Sequence, residues 1–328
     1  MCDLYSCALL DKGKKLKKVL FIIFLFSLCI SLFAQDTKDF EAKKMNTFQA
    51  AIIGVVEGIT EYLPVSSTAH IILTQKLLGI APKNEAEKNV ADAYAVCIQL
   101  GAIIAVLGLY WKRFVKILKG IVGKDKEGLA LLLNLIIAFI PAVILGLIFD
   151  DMIKAKLFNM WPIVVAWIVG GVVILLVRKG TDPKLGKGKD IEEMTKLDAL
   201  KIGVIQCIAM WPGVSRSLTT ILGGIWTGLS VAAAVEFSFL LGVITLGAAT
   251  LYDGYKYAGD IFTYYGVLSP LVGLVVAFIS AVVAIKWLVS YLNNHGLQIF
   301  GWYRIALGII VAILIICNIP ADAWKVVF

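Results

Sequence analysis

The residues able to do chemistry crowd into two short stretches of otherwise apolar sequence. EGITEYLPVSSTAH carries Glu57, Glu61, Ser66, Ser67 and His70. QCIAMWPGVSRS carries Ser215, Arg216 and Ser217, with Thr220 just beyond. Glu57 and Glu61 are four apart and share one face of a helix. Such a pair can sit at an aqueous helix end, hold a divalent cation, or keep one member protonated as an acid or base. Spacing alone does not choose. Ser67 and His70 lie within one helical turn, and a serine activated by histidine is a standard nucleophile.

Arg216 follows Pro212 and Gly213, residues that interrupt a helix, and a guanidinium in apolar surroundings requires a strong anionic partner. Its fork suits phosphate oxygens, and the N–H groups of the helix starting near Ser217 to Thr220 add an anion site. The competing reading is a salt bridge from Arg216 to Glu57 or Glu61 that locks the two stretches together. Both can hold in turn, because a resting salt bridge can yield to substrate. Other polar positions are weaker. His295, in NNHG, reads as a surface residue, Glu236 as a local cap or pair, and Arg304 of the Tyr303–Arg304 dipeptide as a basic interfacial anchor.

The bilayer must position these groups. The chain has 328 residues, 60% hydrophobic and 16% charged, with mean hydropathy +0.88, which excludes an ordinary water-soluble domain. Its net charge of +8 sits in short connectors between apolar runs, an orientation signal rather than a nucleic-acid footprint. The six cysteines lack metal or disulfide spacing; Cys97, Cys207 and Cys317 read as small core residues, whereas Cys2, Cys7 and Cys29 belong to the leader.

Residues 1–44 read as a leader outside the functional core: a secretory signal cut after Ala34, a retained anchor, or a segment bypassed by a start at Met45. Six runs then read as spans, at about 93–111, 129–149, 161–177, 231–251, 267–287 and 302–320. The basic connectors 112–127 and 178–201 are expected on the cytoplasmic side. DDMIKAKLFNM and YDGYKYAGDIFTYY are expected as external loops, which puts Ala91 and the C-terminus outside.

Residues 47–79 and 198–228 do not fit as simple spans. Each divides at a proline into arms too short to cross ~30 Å of hydrocarbon, as expected of re-entrant helix–break–helix pairs. The two align at an offset of 149 residues, IGVVE on IGVIQ, Tyr62 on Trp211, Val65 on Val214 and Ser66 on Ser215. Three spans follow each, so the second copy is inverted. The expected fold is an all-α polytopic membrane protein with an inverted-topology repeat, six transmembrane spans and two re-entrant pairs. A first repeat (45–178) and a second (201–328) flank a basic connector (179–200), and residues about 150 apart should converge.

The combination GVVEGITEYLPVSSTAH, QCIAMWPGVSRS, EFSFLL and WYR resembles the undecaprenyl-diphosphate phosphatases of the bacitracin-resistance type over about residues 46–320. The chain departs from that pattern at Ala69, where the family often has glycine, and at Leu218–Thr219–Thr220, where Gly-x-Thr is usual. The resemblance implies an acid anhydride hydrolase of the bacterial inner membrane, its site open to the external face. Glu57, Glu61, Ser67, His70 and Arg216 would be catalytic. Ser66, Ser215, Arg216, Ser217 and Thr220 would hold phosphate, and Glu57 and Glu61 a divalent cation, Mg²⁺ or Ca²⁺. The expected partners are a polyprenyl diphosphate lipid and the membrane, not nucleic acid, with a homodimer as the candidate assembly. Inverted repeats are also the usual plan of transporters, so a lipid-phosphate flippase, or a dual phosphatase–flippase, is the alternative. A structural scaffold poorly explains Glu57, Glu61, His70 and Arg216.

Overall fold

The computed structural model describes residues 45–82, 84–177 and 188–319; the leader, with Cys2, Cys7 and Cys29, lies outside them. The first expected pair is two helices, α1 (Thr47–Thr60) and α2 (Ser67–Leu77). The Asn46 side chain accepts from the Gln49 backbone N–H and the Gln49 side chain accepts from that of Asn46, which fixes where α1 begins. Then come α3 (Glu85–Leu109), α4 (Trp111–Ile121), α5 (Lys126–Leu157) and α6 (Met160–Leu176). The second pair is α7 (Lys196–Gln206) and α8 (Arg216–Trp226), followed by α9 (Val231–Tyr265), α10 (Leu268–Leu292) and α11 (Gln298–Ile316).

Among the described residues, five helices are long and apolar enough to cross a membrane: α3, α5, α9, α10 and α11. The chain is a multi-pass helical membrane protein. The sixth expected span, α6, has 17 residues, about 26 Å at 1.5 Å per residue, slightly short of the hydrocarbon core.

Two expectations are corrected, on the external loops and on the cysteines. DDMIKAKLFNM and YDGYKYAGDIFTYY are largely not loops but helical continuations of α5 and α9. Few helix breakers interrupt either segment, and once a helix is nucleated, continuing it is favourable. The first basic connector contains a helix, α4, with Lys112, Arg113, Lys116 and Lys119 interleaved with Trp111, Phe114, Ile117 and Leu118. That amphipathic pattern suits an interface. The cysteines Cys97 and Cys207 are only half-buried and Cys317 is exposed, so none is a true core residue.

Helix pairing crosses between the halves. The α1 helix lies along α10 and α7 against α5, while α3 meets α9 and α6 meets α11. Glycine permits the closest of these approaches. A Cβ at Gly54 would fall 2.5 Å from the Gly273 carbonyl oxygen. At Gly203, 149 residues on, a Cβ would fall 2.8 Å from the Ala138 Cα. Small residues at such crossings let backbones pack where the surrounding lipid is as apolar as any side chain.

Candidate active site

Both breaks end in the same backbone conformation. Ser66 has φ 77° and ψ 102°, Ser215 has φ 81° and ψ 117°, and each immediately precedes the second helix of its pair. A non-glycine residue there stores about 1–3 kcal/mol of strain, which persists only where surroundings hold it.

Arg304 does much of that holding. It is 0% exposed. Nη1 donates to the carbonyls of Pro64 and Val214, both at 3.1 Å, and Nη2 to those of Ala166 and Gly213, both at 2.8 Å. Nε donates to the Trp167 carbonyl at 3.4 Å, and Trp167 Nε1 in turn donates to the Val65 carbonyl at 3.0 Å. Carbonyls freed where a helix breaks need donors when water is excluded. The expectation of an interfacial anchor is therefore wrong for Arg304, because one guanidinium satisfies both interruptions at once.

With the breaks tied together, their functional side chains meet. Arg216 Nη2 lies 2.8 Å from Glu61 Oε1, and Nη1 donates to the Ser238 carbonyl at 2.8 Å. The guanidinium also sits over the Tyr62 ring, 5.6 Å from its centroid. Ser67 Oγ donates to Glu61 Oε2 at 2.5 Å. Of the two candidate partners for Arg216, the structure pairs it with Glu61, and it pairs Ser67 with Glu61 rather than with His70. Both ring nitrogens of His70 are engaged elsewhere, Nδ1 with the Ser66 carbonyl at 2.6 Å and Nε2 with the Tyr303 hydroxyl at 2.7 Å.

Three of the hydroxyls expected to clamp phosphate, those of Ser215, Ser217 and Thr220, hold the scaffold in this structure. Ser215 Oγ accepts from the Leu218 N–H at 3.3 Å and caps α8. Ser217 Oγ donates to the Leu63 carbonyl of the first break at 2.8 Å, and Thr220 Oγ1 pairs with Ser238 Oγ at 2.6 Å. Leu218 is accommodated in the apolar core, so its departure from the family pattern leaves the α8 start intact. Glu236 is paired with Arg113 at 2.5 Å, and His295 is exposed as expected.

Unsatisfied polarity concentrates here. Five buried side-chain polar atoms among the described residues lack a hydrogen-bond partner; three belong to this site, both Glu57 oxygens and Arg216 Nε, and the others are Gln206 Oε1 and Tyr94 Oη. Gln206 is the residue aligned with Glu57 in the repeat. Native proteins leave few such atoms, and each calls for an explanation. A fully buried carboxylate with both oxygens open, one turn from Glu61, fits a hard cation with oxygen ligands. Among the described residues no group of three or more histidines, cysteines or carboxylates gathers. Phosphate oxygens and water would have to complete the shell. Glu61 already engages both oxygens, so it would share its remaining lone pairs.

Sequence reasoning passed over Ser238 and Trp167 and left Tyr303 without a role. Tyr303 adjoins Arg304 in the WYR motif, a signal that was available. Nothing local marks Trp167, which reaches Val65 across 102 residues.

These features define a polytopic helical membrane protein with one buried polar site built from two broken helices. More narrowly, the chain belongs to the bacitracin resistance protein BacA family, whose model matches residues 50–310. It is 46% identical over 279 residues to undecaprenyl-diphosphatase 2 of Rhodospirillum rubrum, covering 84% of this chain and 95% of that one. It is 45% identical over 269 residues to undecaprenyl-diphosphatase 1 of Chromobacterium violaceum, covering 80% and 94%. A Polaromonas sp. undecaprenyl-diphosphatase is 43% identical over 281 residues, covering 84% and 95%.

Proposed function

We propose that this chain hydrolyses undecaprenyl diphosphate to undecaprenyl phosphate and inorganic phosphate. It would act in the bacterial inner membrane, with its site toward the external face. Such an activity recycles a carrier lipid for peptidoglycan synthesis and confers resistance to bacitracin. The observation that carries the reading is the set of open polar atoms on Glu57 and Arg216 beside the Glu61–Arg216–Ser67 contacts. Family membership narrows its ligand to a lipid diphosphate. The topology that fits is six spans, counting α6, with α1–α2 and α7–α8 as re-entrant pairs of two inverted repeats. The crosswise helix pairing and the shared conformation of Ser66 and Ser215 support it.

Phosphoryl transfer depends mainly on positioning and charge neutralisation. In the mechanism we favour, Ser67 Oγ attacks the terminal phosphorus and its proton passes to Glu61 Oε2. The bond from phosphorus to the bridging oxygen breaks, and undecaprenyl phosphate leaves. A protonated Glu61 no longer holds Arg216 by charge, so the guanidinium is released to the phosphate as negative charge builds there. Water then cleaves the phosphoserine, and Glu61 returns its proton. In the other version water attacks phosphorus directly. A divalent cation held by Glu57 and Glu61, Mg²⁺ or Ca²⁺, would neutralise diphosphate charge when bound.

The helix pairing that supports inverted repeats also favours a second reading, a lipid-phosphate flippase or a dual phosphatase–flippase. The deciding experiment is phosphate release from undecaprenyl diphosphate by purified, detergent-solubilised protein, with and without chelator. Release that chelation suppresses and added Mg²⁺ or Ca²⁺ restores supports the enzyme. No release under any condition leaves the transporter.

A further inference from the structure

The histidine of this site does not face its surroundings directly. The Ser66 carbonyl, 2.6 Å from His70 Nδ1, can only accept, so Nδ1 carries the ring proton. Nε2 then has a lone pair, and the Tyr303 hydroxyl 2.7 Å away donates to it. The rings are held in register: His70 and Tyr303 stack with centroids 5.7 Å apart and planes 9° from parallel, and Trp167 meets the imidazole edge-on at 5.3 Å. His70 is 8% exposed, whereas Tyr303 is 46% exposed and half open to its surroundings. The one nitrogen able to take a proton is thus covered by a phenol that can reach outward.

We propose that Tyr303 relays protons between the attacking water and His70. The inference rests on the hydrolase reading and applies whether water attacks undecaprenyl diphosphate directly or cleaves a phosphoserine. As the water oxygen bonds to phosphorus, its proton passes to Tyr303 Oη and the Tyr303 proton passes to His70 Nε2, giving an imidazolium. The bond from phosphorus to the leaving oxygen breaks, and that oxygen departs with its electron pair. The imidazolium then returns its proton along the same path to an oxygen of the inorganic phosphate formed, restoring both residues, while in the phosphoserine route the Ser67 oxygen recovers its proton from Glu61. Serine 67 needs no part in this relay, because its hydroxyl already points at Glu61. The hydroxyl of Tyr303 would touch the reacting water, which makes it a catalytic residue.

The test uses the full-length protein in detergent micelles, with phosphate release from undecaprenyl diphosphate as the readout. Tyr303→Phe keeps the ring stack and removes the relay, so kcat should fall about 100-fold while KM stays within about twofold. His70→Ala combined with Tyr303→Phe should be no slower than His70→Ala alone, since the phenol acts through the imidazole. A fluorotyrosine introduced at position 303 should restore most of the turnover lost in Tyr303→Phe. Wild-type kcat in Tyr303→Phe, or a double variant slower by the product of the two single losses, would overturn the relay while leaving the hydrolase standing. Absence of phosphate release from the wild-type protein would overturn the hydrolase, and the relay with it.

Discussion

Arg216 and Glu61 stand 155 residues apart in the chain and 2.8 Å apart in the fold. Each comes from a different helix break, so their contact exists only if both interruptions are folded and correctly docked. Glu61 also accepts from Ser67 at 2.5 Å. One carboxylate therefore joins the cation of one half to the hydroxyl of the other.

The Ser67 contact separates the two routes to phosphate. Ser67→Ala should lower kcat by at least about 100-fold if the hydroxyl is the nucleophile. Single-turnover experiments should show a covalent phosphoserine in the wild type. A rate close to wild type in Ser67→Ala would eliminate the covalent route and leave water as the attacking group.

Close packing at the crossed helices gives a stability prediction independent of chemistry. Gly54→Ala puts a Cβ 2.5 Å from the Gly273 carbonyl oxygen, and overpacking of this kind costs about 1–3 kcal/mol. Gly108→Ala meets nothing within 4 Å and should leave stability unchanged or raise it by up to about 1 kcal/mol. Thermal unfolding in one detergent compares the two variants directly.

The architecture was legible to the extent that local sequence encodes it. Pro64 and Pro212, with charges beside them, mark interruptions that the bilayer forbids unless they line a site, and α1 and α8 begin within a few residues of where that argument puts them. The 149-residue offset was readable from IGVVE and IGVIQ, and it correctly implied that distant residues converge. Partners were less legible. Ser67 lies one turn from His70 in sequence, which favours pairing them, yet the first break brings Glu61 onto the serine and α11 brings Tyr303 onto the histidine. Arg304 misled for a related reason. An arginine near the start of a span looks like an anchor until five backbone carbonyls from both breaks and α6 are seen around it.

Arg304 should accordingly matter for stability first. Arg304→Met leaves those carbonyls without their donor, and removing one partner of a buried charged network costs about 3–5 kcal/mol. Unfolding temperature in detergent should drop sharply, and Arg304→Lys should recover only part of the loss, because an ammonium cannot span five acceptors in a plane. A melting temperature unchanged from wild type in Arg304→Met would remove Arg304 from the account of how the breaks are held.

The claim that both breaks make one catalytic unit is tested most directly by a double-mutant cycle on Glu61→Gln and Arg216→Ala. The readout is phosphate release from undecaprenyl diphosphate by the purified proteins. Each single variant should lose about 100-fold or more in kcat/KM, and the double variant should be no slower than the worse single, as expected for residues acting together. Losses that multiply, or a single variant with wild-type turnover, would contradict the account.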